Sequence, residues 1–398
     1  MHQPKIKSFV LASAALTTSF FSINTSTNAQ DFNINWKGAP EISSADGNFK
    51  MKIRGRIFTD WGTLSDNNGK FADRTELRQA RIGVEGVMAK DINYKFEVDF
   101  ALGGVETKDA FIEWALDPVS VMAGQFKVPV SFEEMNSTRH TLFIERSTFT
   151  DAFEFGRQIG LTANVDKNDI TFIGGVFQGD FDNGNANQGR VYAARGTYAK
   201  RFDGGLIHVG GSAFKRENDE GDLEKRYRQR PPLHLSPNRY IDTGIINAES
   251  DTFMGLELVG ILGPFNAQAE WGWMTTNAPD GGGQDATFNG GYASVSYFLT
   301  GETRGYKKGM IDQAQVKNPV FAGGSGAWQI AARYDVTDLN DLEAGINGGK
   351  QTTYQSGVNW HLNNFVRIQA NYSISDIDGG LNDGQRINTY GVRFQTHW

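Results

Sequence analysis

The chain has 398 residues, 47 of them Gly, 10 Pro and none Cys, with 21% charged residues and a formal net charge of −7. The missing Cys excludes disulfide scaffolds, thiolate metal sites and cysteine nucleophiles, and 12% aromatics with few Pro argue against disordered and collagen-like chains. No Pro-rich or low-complexity linker divides the chain, so what remains is one uniform, Gly- and aromatic-rich chain of short strands that looks too polar for a membrane.

At the N-terminus, Lys5 and Lys7 precede an apolar stretch from Phe9 to Phe21, and small residues follow at Thr27-Asn28-Ala29. This is the pattern of a secretory signal over 1–29, cleaved after Ala29. The stretch is too short and too rich in Ser and Thr for the roughly 20 residues of a spanning helix. Cleavage removes Lys5 and Lys7 and takes the net charge from −7 to −9. Residues 30–48 are expected to form a short N-terminal periplasmic segment, and 49–398 a single barrel domain.

From there on the polarity alternates with period two. In Ile92–Phe100, Phe265–Trp271, Trp328–Val336, Val366–Ile374 and Tyr390–Trp398 one face is apolar and the other polar or charged. A soluble sandwich would show the same alternation. Two features favour a tilted membrane strand: segments of 9 to 13 residues, and aromatics at strand ends such as Trp61, Trp114, Trp271, Trp273, Trp360 and Trp398.

Connections alternate in length as well. Short turns at 90–91, 117–118, 167–169, 203–205, 263–264 and 363–364 are interleaved with longer polar loops at 64–74, 128–156, 179–189, 216–251, 275–288, 337–353 and 375–386. Short periplasmic turns and long external loops are the layout of an outer-membrane barrel. Sixteen strands are expected, beginning near residues 49, 75, 92, 107, 119, 157, 170, 190, 206, 252, 264, 289, 327, 354, 365 and 386. The fold class is therefore all-β, a sixteen-stranded antiparallel transmembrane β-barrel with an inward-folded constriction loop and an aqueous channel. One connection, 301–326, is long where a short turn belongs.

Segment 128–156 carries Phe132, Met135, Leu142, Phe143, Ile144 and Phe149, too apolar a set for an exposed loop. Folded inward it would narrow the pore and present Ser137, Thr138, Arg139 and Arg146; folded outward it would pack on neighbouring subunits. In an extended 225–232 segment, Arg226, Arg228 and Arg230 point the same way. Such a row serves passing anions, or is a solvated loop paired with Glu217, Asp219, Glu220, Asp222 and Glu224. Five His follow the signal and no G-x-S-x-G occurs, so no catalytic residue, cofactor, metal ligand set or nucleic-acid partner is expected. The terminal Trp398 stands where barrels end in an aromatic.

Several stretches, taken in order, resemble the phosphate-selective porin O and P family of Gram-negative outer membranes: WKGAPEISSADGNFKMKIRGR, ELRQARIGVEG, KDAFIEW, GQFKVPVSFEEMNST with FIERS, GRQIGL, RYRQRP with RYIDTG, YFLTGETRGYKKG, GAWQIAARYDVTDLND and SGVNWHLNNFVRIQANY. The resemblance implies a homotrimer, an inward-folded third loop, and a long periplasmic connection lying in the pore at 301–326. It implies an arginine ladder at Arg226, Arg228 and Arg230. Constriction hydroxyls fall on Ser137 and Thr138, a constriction arginine on Arg146, and an acid facing the eyelet on Asp99. A basic pair falls on Lys307 and Lys317, and paired arginines on Arg78 and Gln79. Gln79 thus lacks one expected charge, and Glu134 stands where the family pattern has lysine. With both side chains in the lumen, the formal charge near the constriction falls by three.

The implied function is passive diffusion of small hydrophilic solutes across the outer membrane, with a preference for phosphate or similar anions. The alternative is a general or weakly cation-selective pore. The implied partners are small inorganic anions or other small hydrophilic solutes, outer-membrane lipid and two further copies of the chain.

Overall fold

The computed structural model describes residues 32–36, 38–182, 189–218 and 223–398; the expected signal segment lies outside the described residues. Sixteen antiparallel strands form one closed barrel. The first eight are β1 (Lys50–Asp66), β2 (Gly69–Met88), β3 (Ile92–Asp99), β4 (Glu106–Ala115), β5 (Val119–Lys127), β6 (Arg157–Lys167), β7 (Ile170–Gln178) and β8 (Arg190–Phe202). The remainder are β9 (Gly205–Glu217), β10 (Ser250–Leu262), β11 (Phe265–Asn277), β12 (Ala286–Phe298), β13 (Ala327–Asp341), β14 (Ile346–His361), β15 (Val366–Asp378) and β16 (Arg386–His397). Each strand pairs with its successor, and β16 pairs with β1, placing Arg393 opposite Asp60. Closure satisfies the backbone of every wall strand by its neighbours, as a lipid environment demands.

Two expected loops are largely strand. β1 and β2 run on to a turn at Asn67-Asn68, where a loop over 64–74 was expected, and β13 and β14 replace most of 337–353. Here the outward positions are mostly polar while Leu64, Ala72 and Leu339 are buried inward, so the apolar-outward alternation fades although the ladder continues. The opposite end has the expected tight turns. Asn168 and Asp169 sit at φ 52° and 63° between β6 and β7, matching the double left-handed requirement of a two-residue hairpin.

Burial runs opposite to that of a soluble protein. On β15 and β16, Arg367, Gln369, Ser373, Arg393 and Gln395 are buried on the inner face, while Tyr390 and Phe394 are exposed on the outer face. Large apolar side chains such as Leu256 and Leu258 of β10 are also exposed outward, at 62% and 52%. They form the surface that lipid would cover.

The inner face is partly filled by 128–156, which folds into the barrel with helical turns at Phe132–Met135 and Thr148–Ala152. Its apolar residues find partners on the wall. Phe149 and Phe153 join Phe214, Phe253, Phe288 and Tyr292 in one cluster. Phe132 packs with Leu206, Val259, Ile261 and Ile311, and Ile144 with Leu64, Ala72, Leu233 and Leu235. Segment 301–326 also turns inward: Gly309 O accepts a 2.7 Å bond from Arg195 of β8, and the Tyr306 hydroxyl meets His208 of β9 at 2.6 Å. Two short strands, Phe32–Trp36 and Pro40–Ser44, pair with each other and extend the lower end of β1.

Trp398 closes the seam at the same end. Its amide and carbonyl bond the main chain of Gly55 at 3.0 and 3.3 Å, and its indole covers that glycine so closely that a Cβ there would overlap the ring. Gly55→Val should therefore expel the indole and weaken closure, at a cost of about 1–3 kcal/mol. The expected readout is a lower folded fraction after refolding into detergent, measured by the heat-dependent gel mobility of the barrel; an unchanged folded fraction and melting temperature would refute it.

Candidate functional site

A chain segment threaded through a barrel must find hydrogen-bond partners for its backbone away from bulk water. The wall supplies them with charged side chains. Glu270 of β11 receives the amides of Phe132 and Glu133 and the Ser131 hydroxyl, the Glu133 contact at 3.0 Å. Glu133 pairs with Arg333 of β13 and accepts the Ser147 amide at 2.7 Å. Asp335 accepts the Thr148 amide and hydroxyl at 3.0 and 2.5 Å. On the other side Arg367, Asn359 and Arg393 donate to the carbonyls of Thr141, Leu142 and Ile144 at 2.8, 2.9 and 2.6 Å.

The segment so held narrows the lumen beside β1–β6. A continuous space of about 3050 Å³, counting its open ends, runs past it from Asp180 and Asp182 at the long-loop end to Lys307 and Lys308 at the other. Fourteen Lys and Arg line this space against nine Asp and Glu, and Asp60, Glu97 and Asp99 stand just behind the lining on Arg393, Arg56 and Arg81, which leaves a smaller excess of positive charge in a chain whose total is −7. Many are paired: Arg81 with Glu97 and Asp99 at 3.2 and 2.7 Å, Arg157 with Asp109 at 2.7 Å, Lys95 with Asp109 at 2.5 Å. Among the described residues, Lys52, Arg139 and Lys307 have no carboxylate within 4.0 Å. A narrow passage between low-dielectric walls concentrates the field of such an excess.

The sequence-expected residues divide. Ser137, Thr138, Arg78, Arg146 and Lys307 all line this space. Thr138 donates to Gln79 at 3.1 Å and accepts from Arg56 at 3.0 Å, and Ser137 accepts from Arg139 Nε at 3.2 Å. Arg78 is forked on Glu145 at 3.1 and 3.2 Å. Arg146 grips the carbonyls of Glu133 and Asn136 at 2.8 and 3.1 Å, so much of it holds the loop. Asp99 is spent on Arg81 and on the amides of Ala80 and Ala101, at 3.0 and 3.1 Å, and presents little free charge. Lys317 is off the lining, its ammonium on Gly301 O.

Arg226, Arg228 and Arg230 alternate with buried Tyr227 and Gln229, so they share a face. Arg226 is forked on Asp242, sixteen residues on, a partner outside the expected 217–224 set. Arg230 donates to His234 O at 3.1 Å and lies 3.9 Å from Asp151, in the hollow above the constriction.

Glu134 and Gln79 both line the lumen, the condition for the expected loss of charge, but Glu134 is not a free charge there. Glu134 is buried between Lys127 and Arg146, at 3.4 and 3.3 Å. Burial alone would push its carboxyl up, but Arg146 and Lys127 outweigh burial and hold it below its ordinary value. Gln79 is not an empty position either, since it carries the Thr138 hydroxyl. Sequence reasoning missed Arg54, Arg56, Arg81, Lys95, Arg157 and Arg393 on the lumen lining. The signal was present in strand parity: Arg54 and Arg56 share a face with buried Phe58 and Asp60, opposite exposed Ile57 and Trp61.

Residues 51–396 match the family model described as phosphate-selective porin O and P. An uncharacterised protein of Caulobacter vibrioides is 34% identical over 386 residues, covering 91% of this chain and 76% of that protein. Porin O of Pseudomonas aeruginosa is 27% identical over 408 residues, covering 92% of each. Among solved structures, an anion-selective porin from Comamonas acidovorans has the same fold at TM-score 0.57 and 10% identity, covering 88% of this chain and 100% of the other.

Glu145 tests the loop anchorage through pH. It is buried, which alone would raise its carboxyl, but Arg78 and Arg393 prevail and hold it at about 2. A depressed carboxyl stabilises the fold fully above its unfolded value, about 4.3, and the contribution fades as pH falls towards about 2. The difference in melting temperature between wild type and Glu145→Gln should be constant from about pH 5 to pH 8 and shrink only in more acid buffer. Thermal melts in detergent across that range measure it; a difference already shrinking near pH 6 would contradict the pairing.

Proposed function

Because this chain belongs to the phosphate-selective porin O and P family, we propose that it is an outer-membrane porin through which small hydrophilic solutes diffuse passively, with preference for phosphate and similar oxyanions. The observation that carries the preference is that Lys52, Arg139 and Lys307 line a constricted lumen with no carboxylate within 4.0 Å among the described residues, in an acidic chain. An anion approaching the long-loop end meets Arg230, then the narrowed space where Arg56, Arg139 and the hydroxyls of Ser137 and Thr138 replace part of its hydration shell. Most neighbouring cations are shared with Asp99, Asp109, Glu134 or Glu145. The attraction is thereby spread along the passage and no single well is too deep to leave, which conduction requires.

Family membership and fold are those of a channel rather than an enzyme. A homotrimer is part of the same proposal. The weakly cation-selective alternative draws on Gln79, Glu134 and the acidic chain together, and the pairing of Glu134 with Lys127 and Arg146 weakens one of these supports.

The reversal potential of single channels in a KCl gradient tests the preference, followed by phosphate titration of the chloride current. The expected sign is that of anion selectivity, with phosphate reducing the current. Arg56→Gln leaves Glu97 with one cation fewer, and one charge at 4 Å in water is worth about 1 kcal/mol. The anion-to-cation permeability ratio of this variant should fall roughly fivefold. Cation selectivity in the wild type, with no effect of phosphate, would overturn the proposal.

A further inference from the structure

A second pocket lies off the main passage, between the constriction segment, the inward 301–326 connection and the ends of β13–β16 where Trp398 sits. It is a small hollow open on one side, and its polar lining is dominated by Arg139, Arg304, Arg367, His140, His361 and His397. Arg304, Arg367, His361 and His397 do not line the main passage.

The three guanidinium groups are engaged only by neutral partners. Arg304 donates to His140 O and lies 3.4 and 3.5 Å from the amide oxygens of Asn266 and Gln268. Arg367 donates to Thr141 O and Gln395 at 2.8 and 2.7 Å, and Arg139 to Ser137 at 3.2 Å. Among the described residues none of the three has a carboxylate within 4.0 Å; the one acid on the lining, Asp312, is half-exposed and stands 3.9 Å from His140. Arg304 and Arg367 are nonetheless 9% and 3% exposed. Burying cations without a counter-charge is costly.

The pocket also holds polar atoms without a partner. Nε of Arg367 is an idle donor, and neither ring nitrogen of His397, which is 7% exposed, nor Nε2 of His361 has a partner, each neutral ring offering one N–H. A small anion with several oxygens would answer the surplus charge and the idle donors together. A cation would be repelled, and a neutral solute would leave the charge uncompensated. Guanidinium forks match the oxygens of phosphate, sulfate and carboxylate groups.

We propose that this pocket is an oxyanion-binding site, separate from the constriction, at the periplasmic end of the barrel. It would hold a small oxyanion beside the exit of the passage and at the same time neutralise the arginines that anchor the carbonyls of His140 and Thr141. Arg139, His140 and Asp312 border both spaces, but Arg304, Arg367, His361 and His397 line this pocket and not the main passage, so a test at those four separates the site from the preference of the passage.

Selenate, a tetrahedral oxyanion with an anomalous signal, is the probe. Crystals of the full-length mature protein titrated with selenate should show a peak within hydrogen-bond distance of Arg304, Arg367 and His397, displaced by equimolar phosphate. His397→Phe removes both ring nitrogens and touches no hydrogen bond to the constriction segment, and it should raise the half-occupancy concentration at least fivefold. Arg367→Gln should abolish the peak. An empty pocket in the wild type at tens of millimolar selenate would overturn the proposal, as would undiminished occupancy in His397→Phe. The reversal potential of the same variant reports on the main passage separately.

Discussion

The ion-pair network around Arg393 ties the barrel and its pore together. Its guanidinium is forked on Asp60 at 2.7 Å across the seam between β16 and β1. It also donates to Ile144 O at 2.6 Å and meets Glu145 at 3.1 Å, and Glu145 in turn holds Arg78 of β2. Closure of the sheet and placement of the constriction are thus one structural event. Removing one partner from such a buried network is far costlier than its net contribution suggests, because an uncompensated charge is left behind.

The same logic explains why the lumen is built from charge. Segment 128–156 enters the barrel with about thirty backbone amides and carbonyls that water can no longer fully serve. Glu270, Arg333, Asp335 and Arg367 serve them from the wall, while Phe149 and Phe153 fill space against Phe214 and Phe253. A buried carboxylate that receives amides needs a cation nearby, and a buried guanidinium that donates to carbonyls needs an anion. The paired residues balance one another along the passage. Where only carbonyls, side-chain amides or a hydroxyl are engaged, as at Arg304, Arg367 and Arg139, positive charge remains.

That surplus separates the charge of the protein from the charge of its passage. The chain is acidic overall, yet Lys and Arg outnumber Asp and Glu along the lumen. Glu134 illustrates the difference between formal charge and field. It is an acid at the narrowest region, and Lys127 and Arg146 on either side leave little of its charge to act on a solute. Arg226 is the mirror case, a cation whose field is largely cancelled by Asp242.

By itself the sequence determined the barrel. Strand count, strand order and most strand starts follow from period-two alternation and from turn residues such as Asn168-Asp169, because pleat geometry and main-chain closure act locally. It also indicated that 128–156 needs apolar partners for Phe132, Phe149 and Ile144, which the inner wall or a neighbouring subunit could supply, and the tertiary structure places them on the inner wall. The lengths of β1–β2 and β13–β14 were not legible, because their outward positions turn polar and the few inward apolar residues, Leu64, Ala72 and Leu339, do not make a period-two run. Which charges act in the passage was decided only by the tertiary structure. Asp242, Lys127 and Glu145 reach Arg226, Glu134 and Arg78 across the fold, and His397 meets Arg304 and Arg367 from three separate parts of the chain. Electrostatic fields depend on distance in space and on burial, and neither can be read from spacing along the chain.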